Sequence, residues 1–353
     1  MAESASFTAK RIALIKPSAL GDVVQTLPVL GALRERFPLA HISWVVNVAY
    51  APLLRPISLI DEVIPFDRAA STRTVGGGIR YFWAFLNQLR ARRFDFVIDL
   101  QGLLRSGAFT LATGARRRWG LQSAREGSRL AYNVVFDDRS GSQAAVDRYW
   151  RVAEGLGVGE LPKHFPLELN SVERREAETL LAGLPRPWIA VQPGARWETK
   201  RWPATSFAAA TQAAINRTGG AAVVLGGQGE EGVAVETAER LKAPVKVLAG
   251  KTSLRVLAAV LEQCDALLTN DTGPMHLAAA VGTPTAAVFT CTSPSRAGPY
   301  GVGHRIVQTS VACRESYLKT CPKMVCMADV GAERVASALL AILSEVGQRR
   351  RSA

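Results

Sequence analysis

The chain has 353 residues, of which 48% are hydrophobic and 21% are charged, and its formal net charge is +13. This composition excludes an intrinsically disordered chain, and the length predicts two domains rather than one. The positive charge favours an anionic partner, such as a phosphorylated substrate, an acidic membrane surface or nucleic acid. Aromatic residues are only 7% of the chain and are not interleaved with its arginines. Recognition of nucleic acid by stacking is therefore not indicated.

The N-terminal residues and the cysteines predict the cellular compartment of the protein. The N-terminus, Met1–Lys10, is short and polar and lacks the apolar core of a signal peptide. The sequence has no uninterrupted apolar run of about 18 residues that could span a membrane. Five cysteines, without an export signal, favour a reducing cytoplasm. Cys313, Cys321 and Cys326 cluster, but their spacing is not a usual zinc pattern. We interpret them as part of a surface loop, with metal binding or a disulfide as the alternative.

The first half alternates strands with helices. We predict strands at Arg11–Ile15, Ile42–Val46, Glu62–Phe66 and Phe96–Leu100, and helices at Val23–Phe37 and Ile79–Arg93. Pro28 is expected to kink the first helix. Strands that alternate with helices in this order predict a parallel sheet covered on both faces.

The same pattern restarts after a segment that resembles a linker. We predict further strands at Trp188–Val191, Ala221–Leu225, Val245–Leu248, Ala266–Leu268 and Thr285–Phe289, and helices at Phe207–Arg217 and Ala332–Val346. The predicted divisions are an N-terminal domain (1–170), a linker (171–187), a C-terminal domain (188–330) and a C-terminal helix with a basic tail (331–353). We expect an α/β protein with two Rossmann-like, doubly wound domains facing each other across a cleft.

One segment, Asn270–Ala280, places a carboxylate, a hydroxyl and a Gly-Pro turn where a strand gives way to a helix. The first amides of a helix lack internal partners and carry partial positive charge, so they bind phosphate readily. Asp271 and Thr272 therefore predict a diphosphate or nucleotide-sugar pocket. The alternative is an ordinary capped helix, because Asp and Thr are common caps.

Three other polar loops follow predicted strands. Lys16–Asp22 is not a P-loop, and its Asp22 is either a helix cap or a base that takes a proton from an acceptor hydroxyl. Gln192–Pro203 carries Lys200, an ammonium suited to phosphate oxygens or simply part of a solvated basic loop. Gly226–Glu231 places carboxylates at a helix start, where they could accept hydrogen bonds from a ribose or only complement the helix dipole.

A basic stretch follows the strand that ends at Leu100. Its arginines are suited to bidentate contacts with carboxylate or phosphate groups, and they are Arg105, Arg116, Arg117, Arg118, Arg125 and Arg129.

Four motifs of the chain, in this order, resemble those of the ADP-heptose:lipopolysaccharide heptosyltransferases. They are Ser18–Asp22, Asp99–Ser106, Lys200–Pro203 and Asn270–His276, and the likeness covers nearly the whole chain. The segment Ala124–Gly127, followed by Tyr132 and Asn133, is most similar to heptosyltransferase I. That enzyme adds the first heptose to the 3-deoxy-octulosonic acid (Kdo) of lipid A.

The resemblance implies a GT-B fold with an acceptor-binding N-terminal domain and a donor-binding C-terminal domain. It also implies inversion at the anomeric carbon, no metal and no other cofactor. Asp22 resembles the general base of the family. The residues implied in donor binding are Lys200, Glu231, Asp271, Thr272, Gly273 and His276, with Glu230 as the alternative to Glu231 at the ribose. The residues implied at the acceptor are Ser18, Arg105 and Arg125.

The implied partners are ADP-heptose, Kdo-lipid A and the anionic surface of the inner membrane, and nucleic acid is not among them. We therefore expect a cytoplasmic enzyme associated peripherally with the cytoplasmic face of that membrane. Heptosyltransferase II, or a relative with another donor or acceptor, is the nearest alternative, because segment 313–326 is more similar to that type. A GT-B-like sugar-nucleotide epimerase and a catalytically silent binding protein are the alternatives from other classes.

Overall fold

The structure is a computed structural model that describes residues 7–72 and 75–352. The chain divides into two compact units, Met1–Glu168 and Leu169–Ala353. Residues 1–6 of the predicted polar N-terminus, and Ala353 at the end of the predicted basic tail, lie outside the described residues. Within the described ranges, none of the helices has the length and apolar character that crossing a bilayer requires.

The first unit is built on one parallel sheet. Its strands are β1 Arg11–Ile15, β2 His41–Asn47, β3 Glu62–Phe66, β4 Phe96–Asp99, β5 Arg117–Leu121 and β6 Val134–Phe136. Its helices are α1 Leu20–Arg36, α2 Ala51–Leu54, α3 Val75–Ala91, α4 Leu104–Thr113 and α5 Ala145–Gly155. Two 3₁₀ segments, Ala70–Thr72 and Ser128–Ala131, lie among them. The strand order is β3-β2-β1-β4-β5-β6, and every pairing is parallel.

Helices pack in pairs against this sheet. Helix α1 packs beside α5, and α3 packs beside α4. The strands β1 and β4 are almost wholly buried, as expected of parallel strands covered on both faces. Beneath α3 and α4, the rings of Phe66, Phe85 and Phe109 pack with centroids 4.9 to 5.0 Å apart. Two of these contacts are edge-to-face and the third, between Phe85 and Phe109, is tilted, and such contacts add to the stabilisation from burying the rings.

The second unit has a sheet of the same kind. Its strands are β7 Trp188–Gln192, β8 Ala221–Val224, β9 Val245–Val247, β10 Ala266–Asn270, β11 Thr285–Phe289 and β12 Arg305–Gln308. Its helices are α6 Ser171–Leu181, α7 Ala204–Thr218, α8 Glu231–Glu239, α9 Leu254–Gln263, α10 Gly273–Ala280, α11 Pro294–Ala297, α12 Val325–Asp329 and α13 Ala332–Ser352. The strand order is β12-β11-β10-β7-β8-β9, again all parallel.

Both sheets reverse their direction of growth between two central strands. In the first unit the reversal falls between β1 and β4, and in the second between β7 and β10. The loops that leave the carboxyl ends of such a strand pair diverge, and ligands of open α/β sheets bind in the crevice that results. The loops after β1, β4, β7 and β10 carry the motifs Ser18–Asp22, Asp99–Ser106, Lys200–Pro203 and Asn270–His276. The topology thus brings each pair of motifs to one sheet edge.

The predicted fold class, α/β with two doubly wound parallel sheets, is confirmed. Strands β5, β6 and β12 were not among the predicted elements. Strand β5 begins with Arg117 and Arg118 and shows no continuous apolar run, so the two arginines that sequence reasoning placed in a basic stretch lie in a strand. Strand β6 has three residues, and β12 lies at a sheet edge with half-buried side chains. Short or edge strands of this kind give weak periodicity.

The start of α6 contains an ion pair whose contribution to stability depends on pH. Asn170 caps the helix by accepting the amides of Val172 and Glu173, and Glu173 accepts the amide of Asn170 in return. The Glu173 carboxylate also accepts hydrogen bonds from the buried guanidinium of Arg255 on α9. These bonds from Arg255 hold the pKa of Glu173 below its usual value. Their stabilisation is therefore present above the unfolded pKa of about 4.3 and is lost as pH falls below it.

We predict that Glu173→Gln lowers the free energy of unfolding by about 3 kcal/mol at pH 7, because it leaves a buried guanidinium without its charge partner. The deficit should begin to shrink below about pH 4.3 and close as the pH falls through the lowered pKa of the folded Glu173 carboxyl, where the wild type also loses this charge. Urea denaturation followed by circular dichroism, at pH 7 and at the lowest pH at which the wild type stays folded, measures it. Glu178→Gln, an exposed change on the same helix, is the control. A deficit that is the same at both pH values contradicts the account.

Candidate active site

Asp22 lies in the first turn of α1, directly after the loop that leaves β1. Its Oδ2 accepts the backbone amide of Ala19 at 3.0 Å, so the interpretation of Asp22 as a helix cap is correct. Its Oδ1 accepts the phenolic hydroxyl of Tyr149, on α5, at 2.8 Å. The side chain is nevertheless 40% exposed. A carboxylate fixed on both oxygens and open to solvent is suited to taking a proton from a bound hydroxyl.

Lys16 is a buried ammonium behind this carboxylate. Its Nζ donates to the Leu100 carbonyl and to the Tyr149 hydroxyl, both at 2.8 Å, and lies 3.6 Å from Asp22 Oδ1. Because Tyr149 accepts from Lys16, its own proton is left to donate to Asp22. Burial lowers the pKa of Lys16, and the Asp22 and Asp99 carboxylates oppose that shift. Burial and the Asp22 charge raise the pKa of Tyr149, so the phenol stays a donor.

Asp99, at the end of β4, completes this buried group. It accepts the amides of Gln101 at 2.8 Å and Gly102 at 3.1 Å, and the Tyr132 hydroxyl at 2.7 Å. Burial raises the pKa of Asp99, and these hydrogen bonds oppose the shift. The turn that Asp99 holds is joined to the β1 loop, because Gln101 Oε1 accepts the amide of Ser18 at 3.1 Å. The loops after β1 and β4 are therefore fixed against each other.

The predicted acceptor residues lie at this same sheet edge. Ser18 is half-buried in the β1 loop, Arg105 is exposed on α4, and Arg125 is exposed after β5. The Arg105 guanidinium lies 5.6 Å from the Phe66 ring centroid. Partial burial and the nearby Arg68 lower the pKa of Arg105. The Arg125 amide donates to the Gly102 carbonyl at 2.8 Å, which fixes its backbone to the β4 loop.

In the second unit, Lys200 and Asp271 form an ion pair. Lys200 Nζ lies 2.6 Å from Asp271 Oδ2, and Thr292, after β11, donates to the same oxygen at 2.7 Å. Asp271 is buried, whereas the Lys200 side chain is 17% exposed. Lys200 also lies 4.6 Å from the ring centroid of Trp197, and Lys319 lies 5.7 Å from the same centroid. Two ammonium groups, of which that of Lys200 is paired with Asp271, therefore lie beside one indole at this edge.

The Asn270 side chain joins the loop between β7 and α7, which carries Lys200 and is called the lysine loop, to the end of β10. Its Oδ1 accepts the amide of Trp202 at 3.1 Å, and its Nδ2 donates to the Pro193 carbonyl at 2.8 Å. The Asn270 side chain is buried, so it makes both bonds away from water. The loop between β7 and α7 is therefore held at its beginning and its end, with Lys200 between them.

The start of α10 lies beside this ion pair. Thr272 occupies the N-cap position, but its hydroxyl contacts the Thr269 hydroxyl at 3.2 Å instead of capping the helix. Gly273 is the first residue of α10, and His276 is buried in that helix. The Thr272 hydroxyl therefore makes no capping hydrogen bond to α10, and the interpretation of Thr272 as an ordinary side-chain cap does not apply. The amides of the first turn carry the partial positive charge that favours a phosphate.

The two candidate ribose carboxylates have different surroundings. Glu230 Oε2 accepts hydrogen bonds from Gln192 Nε2 at 3.0 Å and from the Gly227 amide at 2.8 Å. Glu231 is exposed at the start of α8, and its Oε2 accepts the Gly229 amide at 2.8 Å. Glu230 thus braces the glycine turn to β7, and Glu231 is the more accessible of the two.

Four residues of these centres were missed as site residues from sequence: Lys16, Tyr149, Asn270 and Thr292. Lys16 directly follows a buried strand, Asn270 is the last residue of one, and Thr292 lies three residues after one. That position at the carboxyl end of a central strand could have indicated them. Tyr149 reaches the site from a helix 127 residues beyond Asp22, and no pattern in the sequence indicates that contact.

The cysteine-rich segment supports the lysine loop through its backbone. The Leu318 carbonyl accepts the Thr199 hydroxyl at 2.5 Å, and the Tyr317 amide donates to the Cys291 carbonyl at 2.8 Å. All five cysteines are free thiols, so no disulfide joins Cys313, Cys321 and Cys326. Within residues 7–72 and 75–352, no group of His, Cys, Asp and Glu side chains is arranged to hold a metal ion.

Comparison with known proteins identifies the family. A family model described as glycosyltransferase family 9 (heptosyltransferase) matches residues 82–326. The chain belongs to this family. It is therefore a glycosyltransferase, and the GT-B fold class that the sequence predicted is confirmed.

Individual relatives span most of this glycosyltransferase. Lipopolysaccharide heptosyltransferase 1 of Pseudomonas aeruginosa is 29% identical over 88% of this chain and 87% of its own. Lipopolysaccharide heptosyltransferase 2 of Salmonella typhimurium is 27% identical over 84% of this chain and 88% of its own.

Solved structures of the Escherichia coli heptosyltransferase WaaC are also similar. The complex with ADP is 25% identical, with a TM-score of 0.75 over 94% of this chain and 99% of its own. The complex with ADP-2-deoxy-2-fluoro heptose is 25% identical, with a TM-score of 0.71 over 95% of this chain and 99% of its own.

The hydrogen bond from Tyr149 to Asp22 predicts a shift in the pH dependence of glycosyl transfer. Without this donor the ionised form of Asp22 loses about 1.4 kcal/mol of stabilisation, as expected for a hydrogen bond to a charged group. This loss corresponds to about one pH unit in the titration of Asp22. The charged and titratable groups around the pair are Lys16, Asp99, Asp138 and Arg148. All four remain in Tyr149→Phe, so the acidic limb of the kcat/KM profile should move about one unit toward higher pH.

Steady-state kinetics between pH 5 and 9 measure this shift, and the KM for the sugar donor should not change. Tyr132→Phe removes a buried phenol from Asp99 instead of Asp22 and serves as the matched control. Superimposable profiles of Tyr149→Phe and the wild type would show that the phenol has no influence on the protonation of Asp22.

Proposed function

We propose that the protein is an inverting heptosyltransferase that moves heptose from ADP-heptose to a Kdo residue of the lipopolysaccharide inner core. The observation that carries this proposal is the Lys200–Asp271 pair beside the first turn of α10. The partly exposed ammonium of Lys200 and the amides of this turn lie where a diphosphate would bind. The family and the similarity to an enzyme solved with ADP and with an ADP-heptose analogue support ADP-heptose as the donor.

On the donor side, we assign Lys200 and the first amides of α10 to the diphosphate. The ammonium of Lys200 lies against Asp271, and its exposed part faces an incoming phosphate while Asp271 fixes its direction. Thr272, Gly273 and His276 surround the same turn, and Glu231 accepts from the ribose hydroxyls. Positive groups and oriented amides stabilise the charge that develops on the departing ADP.

On the acceptor side, we assign Asp22 as the general base. The acceptor hydroxyl oxygen bonds to the anomeric carbon while the bond from that carbon to the β-phosphate oxygen breaks. The bonding electron pair leaves with ADP, and the hydroxyl proton passes to the Asp22 carboxylate. Attack opposite to the leaving group inverts the configuration. Lys16 and Tyr149 hold the base in place and do not touch the reacting atoms.

The acceptor itself is assigned from Ser18, Arg105 and Arg125. Kdo carries a carboxylate, and arginine binds carboxylates through two parallel hydrogen bonds. Two exposed arginines and a serine at the sheet edge that holds Asp22 suit an acidic sugar with a free hydroxyl. Such an acceptor is anchored in lipid, which places the enzyme at the cytoplasmic face of the inner membrane.

A second assignment of the acceptor has its own support. Relatives named heptosyltransferase 1 and heptosyltransferase 2 match with similar identity and coverage. The alternative is therefore transfer to an acceptor that already carries a heptose. The family match weighs against the epimerase and the silent binding protein, because it makes the protein a glycosyltransferase.

The test is ADP release from ADP-heptose by the purified protein, with Kdo-lipid A present or absent, together with the mass of the glycolipid product. We expect release that requires the acceptor and a product heavier by one heptose. In Asp22→Asn the rate should fall by about 10²- to 10⁴-fold, because the base is lost, while donor affinity is retained. Asp137→Asn, an exposed change in the same unit, is the control.

Three results would overturn parts of the proposal. Release without any acceptor contradicts transfer to a sugar hydroxyl. Transfer only to acceptors that already carry heptose replaces the Kdo assignment with the second one. Near-normal turnover in Asp22→Asn removes Asp22 from the mechanism.

A further inference from the structure

Two segments of the first unit have an unusual charge distribution. Residues 68–94 contain six arginines, and residues 100–125 contain five, whereas neither segment contains an aspartate or a glutamate. These segments include α3 and α4, which pack side by side through Phe82 and Phe109. The surface of this helix pair is therefore rich in positive charge, and a carboxylate at its edge is that of Glu126, which accepts the Leu104 amide at 3.1 Å. Such a surface attracts anionic partners over distances of about a Debye length.

The same helix pair exposes large apolar side chains. Ile79 and Trp83, one turn apart on α3, share a face, and Trp83 is 61% exposed. Leu104 and Leu111, two turns apart on α4, also share a face, and each is more than half exposed. On the other side of α4 lies the 3₁₀ segment Ser128–Ala131, whose Leu130 is 89% exposed. We call these five side chains the apolar face.

The faces of the two helices lie next to each other. Ile79 and Trp83 are on the flank of α3 that also carries Arg90, whose guanidinium lies against Gly114 at the end of α4. Arginines surround the apolar face on α3, on α4 and around the 3₁₀ segment: Arg80, Arg90, Arg105, Arg125 and Arg129. Single exposed apolar side chains are ordinary, but a group on adjacent elements marks an interaction surface.

We propose that the apolar face is a membrane-docking surface, which seats α3, α4 and the 3₁₀ segment on a bilayer of anionic phospholipid. The chemistry on both sides is complementary. Arginines pair with lipid phosphates, while Trp83 and the aliphatic side chains enter the boundary between headgroups and acyl chains, where tryptophan is favoured. Since no helix within the described ranges spans a membrane, this docking is peripheral.

The inference rests on the proposed function in one respect: a lipid-anchored acceptor gives the docking its purpose. The apolar face adjoins the predicted acceptor residues, because Arg105 follows Leu104 on α4 and Arg125 precedes the 3₁₀ segment. Docking through this face therefore brings the acceptor-binding edge of the sheet to the lipid surface. Electrostatic attraction by the arginines also raises the affinity of the protein for the anionic lipid surface, about fivefold for each arginine near that surface.

The test is co-sedimentation of the full chain with vesicles that contain phosphatidylglycerol and phosphatidylethanolamine, or phosphatidylcholine alone. No nucleotide sugar or glycolipid is present, so binding is measured independently of transfer. We expect partitioning onto the anionic vesicles and little onto phosphatidylcholine. The double variant Trp83→Ser, Leu111→Ser should partition about tenfold more weakly, because it removes apolar area from the contact. Arg80→Gln should weaken partitioning about fivefold.

Leu39→Ser is the matched control, because Leu39 is 97% exposed but lies in the turn between α1 and β2. Its partitioning should equal that of the wild type. Transfer to a water-soluble, deacylated acceptor should be normal in the double variant, which shows that the fold and the active site are intact. Vesicle binding tests the docking surface even if the protein proves to have another activity, because the assay contains no sugar donor or acceptor.

Three outcomes would overturn the docking surface. Equal partitioning of the wild type and the double variant means that the apolar face does not touch lipid. Self-association in analytical ultracentrifugation that the double variant abolishes, without vesicle binding, assigns the face to a second copy of the chain. Tight binding of duplex DNA that vesicles do not displace assigns the arginines to nucleic acid.

Discussion

The functional groups of this protein depend on one topological constraint, the reversal of strand order at the centre of each sheet. In each unit the two strands at the reversal send their loops apart at their carboxyl ends. Backbone polar groups and helix amides there are left to bind ligands instead of pairing within the fold. The chain places one lysine and one aspartate at each of these points, Lys16 with Asp22 and Lys200 with Asp271.

The two pairs differ in which member is buried and which is exposed. In the first unit the ammonium of Lys16 is buried and the carboxylate of Asp22 is exposed. In the second unit Asp271 is the more buried partner and Lys200 the more exposed. A buried charge requires its partner and further hydrogen bonds, because the desolvation penalty is large. The buried member therefore serves as the fixed support. We propose the exposed member as a base in one unit and as a phosphate-binding cation in the other.

Much of this organisation follows from local sequence. Continuous apolar strands predict a parallel sheet, and a polar loop after each strand predicts the edge where ligands bind. The strands that escaped prediction, β5, β6 and β12, begin with arginine or lie at an edge, so their burial comes from neighbours and not from their own pattern. The contact of Tyr149 with Asp22 and Lys16 joins residues 127 and 133 positions apart. Only the packing of α5 beside α1 creates it.

Equilibrium binding of ADP to Lys200→Met tests whether the two pairs have these different roles. Isothermal titration calorimetry with ADP and with adenosine separates contacts to the phosphates from contacts to the nucleoside. It is carried out on the wild type, on Lys200→Met and on the exposed control Lys251→Met. We expect about 10- to 100-fold weaker binding of ADP to Lys200→Met, with adenosine binding unchanged. Equal affinity of ADP for wild type and Lys200→Met would contradict the phosphate role of Lys200.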